Sequence, residues 1–296
     1  MKVKLNAISI LLALFLSGCM ASPEVGSPVD KITGLETDYV PEFDGFLERY
    51  ALVYEQSYDT AAKRAEGLTK FSELLAEKDK LNETAAEILK LAKQGISNPK
   101  NDIEKEYFEK VQNCYNERSK ALDSAGNVLY NYYGFLKFLN HSASFDRNYE
   151  DLAAKLDAYV LYSEQGDYDN AIKTLNAINV KIGAIKEDVT KSRKYVSLGY
   201  QESLLQWADE LGQVIDMSID ILRNIESEDL SSLTEVTEKA ISSRNLLTKA
   251  LQDLPEQKSD WFYNNVEKLD AAIPAAFNEA NKQCESAAEA YAQVYI

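Results

Sequence analysis

The chain has 296 residues, with 32 Lys and Arg against 48 Asp and Glu, giving a formal net charge of −16 at pH 7. Such a field repels phosphate backbones and anionic head groups, so the composition excludes nucleic-acid binding. Only 12 Gly and 6 Pro occur in the whole chain, a scarcity that favours long, seldom interrupted helices.

The first element is residues 1–18, where Lys2 and Lys4 precede the apolar run "LNAISILLALFLSG". This is the layout of a secretory signal peptide. It is too short to span a bilayer, which takes about 20 apolar residues. Leu16, Ser17, Gly18 and Cys19 resemble the lipobox of prokaryotic membrane lipoproteins. The resemblance implies a thioether from Cys19 to diacylglycerol, cleavage just before it, and acylation, palmitate among the chains, of the new N-terminus. Each buried methylene contributes about 0.8 kcal/mol, so two or more chains anchor stably. The implied partner is a lipid bilayer reached through N-terminal acyl chains. The implied address is the extracytoplasmic face: the outer membrane or cell surface in a Gram-negative source, a pattern that Met20 after the cysteine also resembles.

Residues 19–40 mix Pro, Gly, Ser and Asp without a sustained period and are expected to form a flexible tether. From residue 41 the period is helical. Phe43, Phe46, Leu47, Tyr50 and Tyr54 recur at three and four residues, and after a break at "QSYD" Ala61, Ala65, Leu68, Phe71 and Leu75 continue the pattern. Asn82 and Thr84 mark a restart, and residues 93–102 read as a connector ending in a capping Asp102. Residues 103–139 hold one face from Ile103 through Tyr107, Val111, Cys114, Ala121 and Val128 to Leu139, and "HSASFDRN" is expected to end that helix. Further helices are expected at 149–164, 168–194, 201–225, 230–252 and 257–295, the last kinked or broken at Pro274.

The turn "YSEQGDYDNAIKTL" resembles the one between the two helices of a tetratricopeptide repeat, through Gly166, Tyr168, Ala171 and Ile172. The resemblance covers about a dozen residues, with a fainter echo at Tyr58 and Ala61. No 34-residue period runs along the chain, so it is read as one helical hairpin using a favourable turn.

Chemistry-bearing residues are sparse. His141 is the single histidine and, placed in a loop, has no convergent ligands. Glu106 with Glu109, and Glu226, Glu228 and Asp229, are acidic groupings without the alternation and glycine of a calcium loop. No glycine-rich phosphate loop, nucleophile elbow or Cys-x-x-Cys occurs. No catalytic residue, metal site or cofactor is therefore expected. Cys114 and Cys284 either pair as a disulfide, which an exported chain would retain, or stand as two separately buried thiols. Asn82 and Asn140 match the N-glycosylation sequon. Tyr130 and Tyr133, in the aromatic run "VLYNYYGFLKFLN", are the candidate ligand-binding residues if that run borders a pocket.

No strand signal is present, and the expectation is an all-α fold: an elongated antiparallel bundle of long helices with coiled-coil-like packing over 41–296, with sub-bundles 41–141 and 145–296. The functional expectation is a non-catalytic, membrane-anchored helical module acting through a protein partner. The alternative is a ligand-binding or sensory ectodomain with an aromatic pocket between helices.

Overall fold

The computed structural model describes residues 26–224 and 231–295. Cys19 and its leader, and the cluster of Glu226, Glu228 and Asp229, lie outside the described residues. The described chain is an all-α helical bundle with no strand.

Helix α1 spans Pro28–Tyr54. It starts where it does because the Ser27 side chain accepts from the backbone N–H of Asp30 (3.2 Å) and Pro28 occupies the first turn, a favourable start for a helix. Val29, Ile32, Tyr39, Phe43, Phe46, Tyr50 and Val53 form its buried stripe. The tether expected over 19–40 is thus corrected from residue 28 onward: the apolar spacing of α1 begins there, and Pro and Ser mark its start.

Helix α2 spans Ala61–Ser97 without the restart expected at Asn82. Leu81, Ala85, Ile88 and Ala92 carry its buried stripe straight through. Helix α3 spans Asp102–Glu164, 63 residues. Asn101, not Asp102, caps it: its Oδ1 accepts from the Glu104 N–H at 2.8 Å, and the Glu104 carboxylate turns back to the Lys100 N–H.

The loop expected at 141–148 is also corrected, since it lies inside α3. Phe138, Phe145 and Leu152 are buried seven residues apart, so the helical stripe survives the polar residues between them. Polar side chains alone do not end a helix when neither Gly nor Pro frees the backbone. α3 ends only before Gly166, whose φ of +71° suits a residue without a Cβ. Asp167 then caps α4, Tyr168–Arg193. Ala171 is buried there, while Tyr168 stays 38% exposed.

Helix α5 spans Gly199–Arg223 and α6 spans Ser231–Phe262, running through Pro255 where a break between 252 and 257 was expected. A π-helical turn over Tyr263–Glu267 and the three-residue α7, Lys268–Asp270, follow. Helix α8, Ile273–Tyr295, starts at the expected break, with Pro274 in its first turn, where its missing N–H costs nothing.

The helices divide into two compact units, although not at residues 141–145. Residues up to Gln56, Ser72–Leu129 and Leu269 onward form the first; Ser57–Phe71 and Tyr130–Lys268 form the second. The C-terminal helix thus belongs with the N-terminal one, which corrects the expected sub-bundles.

Cross-helix pairs show the direction of packing. Between α4 and α5, Arg193 meets Glu202, Lys186 meets Asp209 and Asn179 meets Asp216. One number falls by seven as the other rises by seven, the signature of antiparallel helices in a two-turn register. Arg49–Glu77 and Lys80–Glu42 set α1 against α2 in the same sense. These exposed pairs contribute little energy each. The energy lies in the buried stripes, such as Phe43 and Phe46 stacked on Phe277 in the first unit.

In that unit Cys114 of α3 and Cys284 of α8 form a disulfide, with Cα atoms 4.6 Å apart and a sequence separation of 170. Closing so long a loop restricts the unfolded chain strongly. Replacing both cysteines by serine should lower unfolding free energy by about 2–5 kcal/mol, read by urea denaturation against the oxidised protein. A loss under about 0.5 kcal/mol would show that the crosslink constrains nothing. A second expectation concerns Gly95, where an added Cβ would lie 2.3 Å from ring atoms of the buried Phe108. Alanine would gain about 1 kcal/mol of helix propensity, but forcing the ring aside costs about 1–3 kcal/mol. Gly95→Ala should therefore melt at a lower temperature than the parent, not a higher one.

Candidate functional site

Two polar constellations stand out, one in each unit. In the first unit the constellation is structural. Arg118, 5% exposed, lies with its guanidinium carbon 4.8 Å from the Phe43 ring centroid and 5.3 Å from those of Tyr39 and Tyr115. Its Nη1 donates to the Tyr115 hydroxyl (3.3 Å), which in turn donates to Glu36 Oε1 (3.0 Å). Glu36 is only part-buried as a residue, but its carboxyl end is enclosed against the fully buried Tyr115.

Burial pushes the Glu36 carboxyl above the ordinary range, with Arg118 and the Tyr115 hydrogen bond opposing that rise. Burial likewise raises Asp44, again opposed by Arg118. One cation thus answers two reluctant carboxylates. An aromatic cage supplies the rest of its stabilisation. Arg118 Nε and the Tyr39 hydroxyl are buried without a partner.

In the second unit four helices leave a cavity of about 100 Å³, room for about three waters. Its apolar walls are Phe138 and Phe145 of α3, Val189 of α4, Leu204 of α5 and Leu254 of α6. Its polar groups fall into pairs. The Ser142 and Tyr200 hydroxyls are hydrogen-bonded, while burial raises the Tyr200 phenol to about 12. Gln201, fully buried, donates to Ser192 Oγ (2.9 Å) and to the Val196 carbonyl (3.0 Å) and accepts from the Leu198 N–H.

His141 Nδ1 stands 3.8 Å from Asp188 Oδ1, beyond hydrogen-bond length. Asp188 Oδ2 accepts instead from Asn148 (2.9 Å). At the cavity's remaining side are Asp146 and Lys258. Burial lowers the Lys258 ammonium, with Asp146 opposing, and burial raises Asp146.

The residues singled out from the sequence are placed differently. Tyr130 is 69% exposed, and Tyr133 is half-buried with the Lys137 ammonium 5.4 Å above its ring; neither lines the cavity, which begins two turns further along α3. His141, expected in a loop, faces that cavity from mid-helix. Asn82 donates to Asp123, and Asn140 accepts from Arg64. Glu106 pairs with Lys110 and Glu109 with Lys105 on the α3 surface. Among the described residues no group of three His, Cys, Asp or Glu could hold a metal ion, and no helix is long and apolar enough to cross a membrane. The cavity was missed because its members lie on four helices. The one local signal is Ser142 and Asp146, four residues apart and so on one face of α3.

No protein-family model matches the chain, and neither a curated protein nor a solved structure does.

The Arg118 cluster predicts a signed pH dependence. A carboxyl raised in the folded state favours folding at low pH, and that contribution is lost as pH rises through the folded value. Arg118→Met removes the cation that compensates the ionised Glu36, so it should cost about 3–5 kcal/mol at neutral pH. The loss should shrink as the pH falls and Glu36 protonates. Urea denaturation of both proteins between pH 4 and 8 measures this; a loss independent of pH would mean that Arg118 acts only through packing.

Proposed function

We propose that the chain is a lipid-anchored, extracytoplasmic helical module that acts by protein interaction rather than catalysis. The observation that carries this reading is the run Leu16-Ser17-Gly18-Cys19 behind a basic, apolar leader. Independent support comes from the Cys114–Cys284 disulfide, since such bonds persist in oxidising compartments and are rare in the reducing cytosol. The absence of an apolar helix of spanning length among the described residues is compatible with attachment through acyl chains.

Support for interaction over catalysis comes from the distribution of apolar surface. At the α3–α4 hairpin Val160 and Leu161 are 50% and 52% exposed, with the half-exposed Tyr168 across the turn. Asp157, Glu164, Asp167 and Asp169 flank them in sequence. A surface of this kind offers contact area within an acidic frame. The alternative reading, a ligand-binding or sensory ectodomain, attaches to the cavity beside His141 rather than to Tyr130 and Tyr133, because that cavity is where Asp146, Asp188 and Lys258 converge.

Expression with labelled palmitate, followed by mass spectrometry of the mature N-terminus, tests the anchor. A diacylglyceryl-modified Cys19 as the first residue is expected, and Cys19→Ser should shift the protein from the membrane to the soluble fraction. An unmodified thiol at position 19, or a retained leader, would overturn the reading.

A further inference from the structure

The cavity of the second unit holds opposed charges that stop short of meeting. Lys258 makes no ion pair within 4.0 Å among the described residues, although Asp146 is near enough to act on it electrostatically. Asp188, on the same cavity, accepts a hydrogen bond from Asn148 at one oxygen and leaves its other oxygen 3.8 Å from His141 Nδ1, beyond hydrogen-bond length. A half-buried ammonium without a bonded partner is costly, and so is a carboxylate in the same position. The neutral groups nearest Lys258 and Asp146 do not relieve them, because Ser192 and Gln201 spend their hydrogen bonds on each other and on backbone, and Tyr200 is bonded to Ser142.

The charge pattern selects the occupant. A simple anion on Lys258 would face Asp146 and Asp188; a simple cation on those carboxylates would face Lys258. A molecule bearing both signs meets each wall with its opposite. The volume, about 100 Å³, limits it to a few non-hydrogen atoms beyond the two charged groups. Phe138, Phe145, Leu204 and Leu254 leave an apolar wall suited to hydrogen or methyl, not to a long side chain. We propose that this cavity binds a small zwitterionic α-amino acid, of glycine or alanine size, with its carboxylate on Lys258 and its ammonium between Asp146 and Asp188.

Lys258 comes from α6, Asp146 from α3 and Asp188 from α4, so the occupant would crosslink three helices. This goes beyond the anchored-module reading and does not depend on acylation of Cys19. Failure of one leaves the other standing.

Calorimetric titration of the purified full chain with glycine and with L-alanine provides the test, with acetate, methylammonium and L-phenylalanine as comparison ligands. Saturable binding of glycine or alanine is expected, with none for the singly charged analogues and none for phenylalanine. Lys258→Met and Asp146→Asn should each weaken binding about tenfold or more, the usual cost of removing one partner of a charged hydrogen bond. Their circular dichroism should match the parent's. No saturable binding of either amino acid, acetate or methylammonium binding as tightly as glycine, or folded variants of unchanged affinity would each overturn the proposal. The analogue comparison needs no variant, so it decides the matter even if a substitution unfolds the protein.

Discussion

The buried stripe along α3 is the constraint on which both units depend. Tyr107, Val111, Cys114, Tyr115, Ala121, Ala125 and Val128 present it to the first unit, and Phe135, Phe138, Phe145 and Leu152 to the second. A helix with one apolar face is marginal in water and has to be covered. Helices α1, α2 and α8 supply that cover in the first unit; α4, α5 and α6 supply it in the second. The remaining architecture, including the seven-residue register of surface pairs, follows from covering an unbroken stripe.

Where the chain departs from pure apolar packing, the two units do so differently. The first encloses Arg118 among three aromatic rings and balances it against Glu36 through Tyr115. Such a cluster adds little stability over an apolar replacement, but it penalises every mispacked arrangement that strands the cation. In the second unit the polar groups line a cavity, and Lys258 and Asp146 border it without an ion pair to each other.

Helical class and most helix positions were legible because period, not composition, carries that signal. The 168–194 and 201–225 spans lie within two residues of the observed helices. The differences share one cause: polar or turn-prone residues do not interrupt a helix whose apolar stripe continues through them. Ser27-Pro28 starts α1 inside a segment read as tether, and the Ser, Asp and Asn side chains of 142–148 sit on α3 without breaking it. Pro255 lies within α6, while Pro274 begins α8, and local spacing does not separate those cases. The cavity was not legible at all, since His141, Asp188 and Lys258 are brought together only by tertiary packing. Cys114 and Cys284 were visible as apolar positions of two helices, but sequence spacing says nothing about whether the helices face each other.

The disulfide also sets an order on biogenesis. The first unit is assembled from the two ends of the described chain, with most of the second lying between them in sequence. As the chain is synthesised from its N-terminus, Cys114 emerges long before Cys284. The intervening hairpins have local partners and can fold meanwhile, as domains do during synthesis. Until the last helix appears, α1, α2 and the early part of α3 present uncovered aromatic surface and a free thiol. The crosslink therefore closes only once nearly the whole chain has been made, a delay absent from bundles whose termini fold in separate halves.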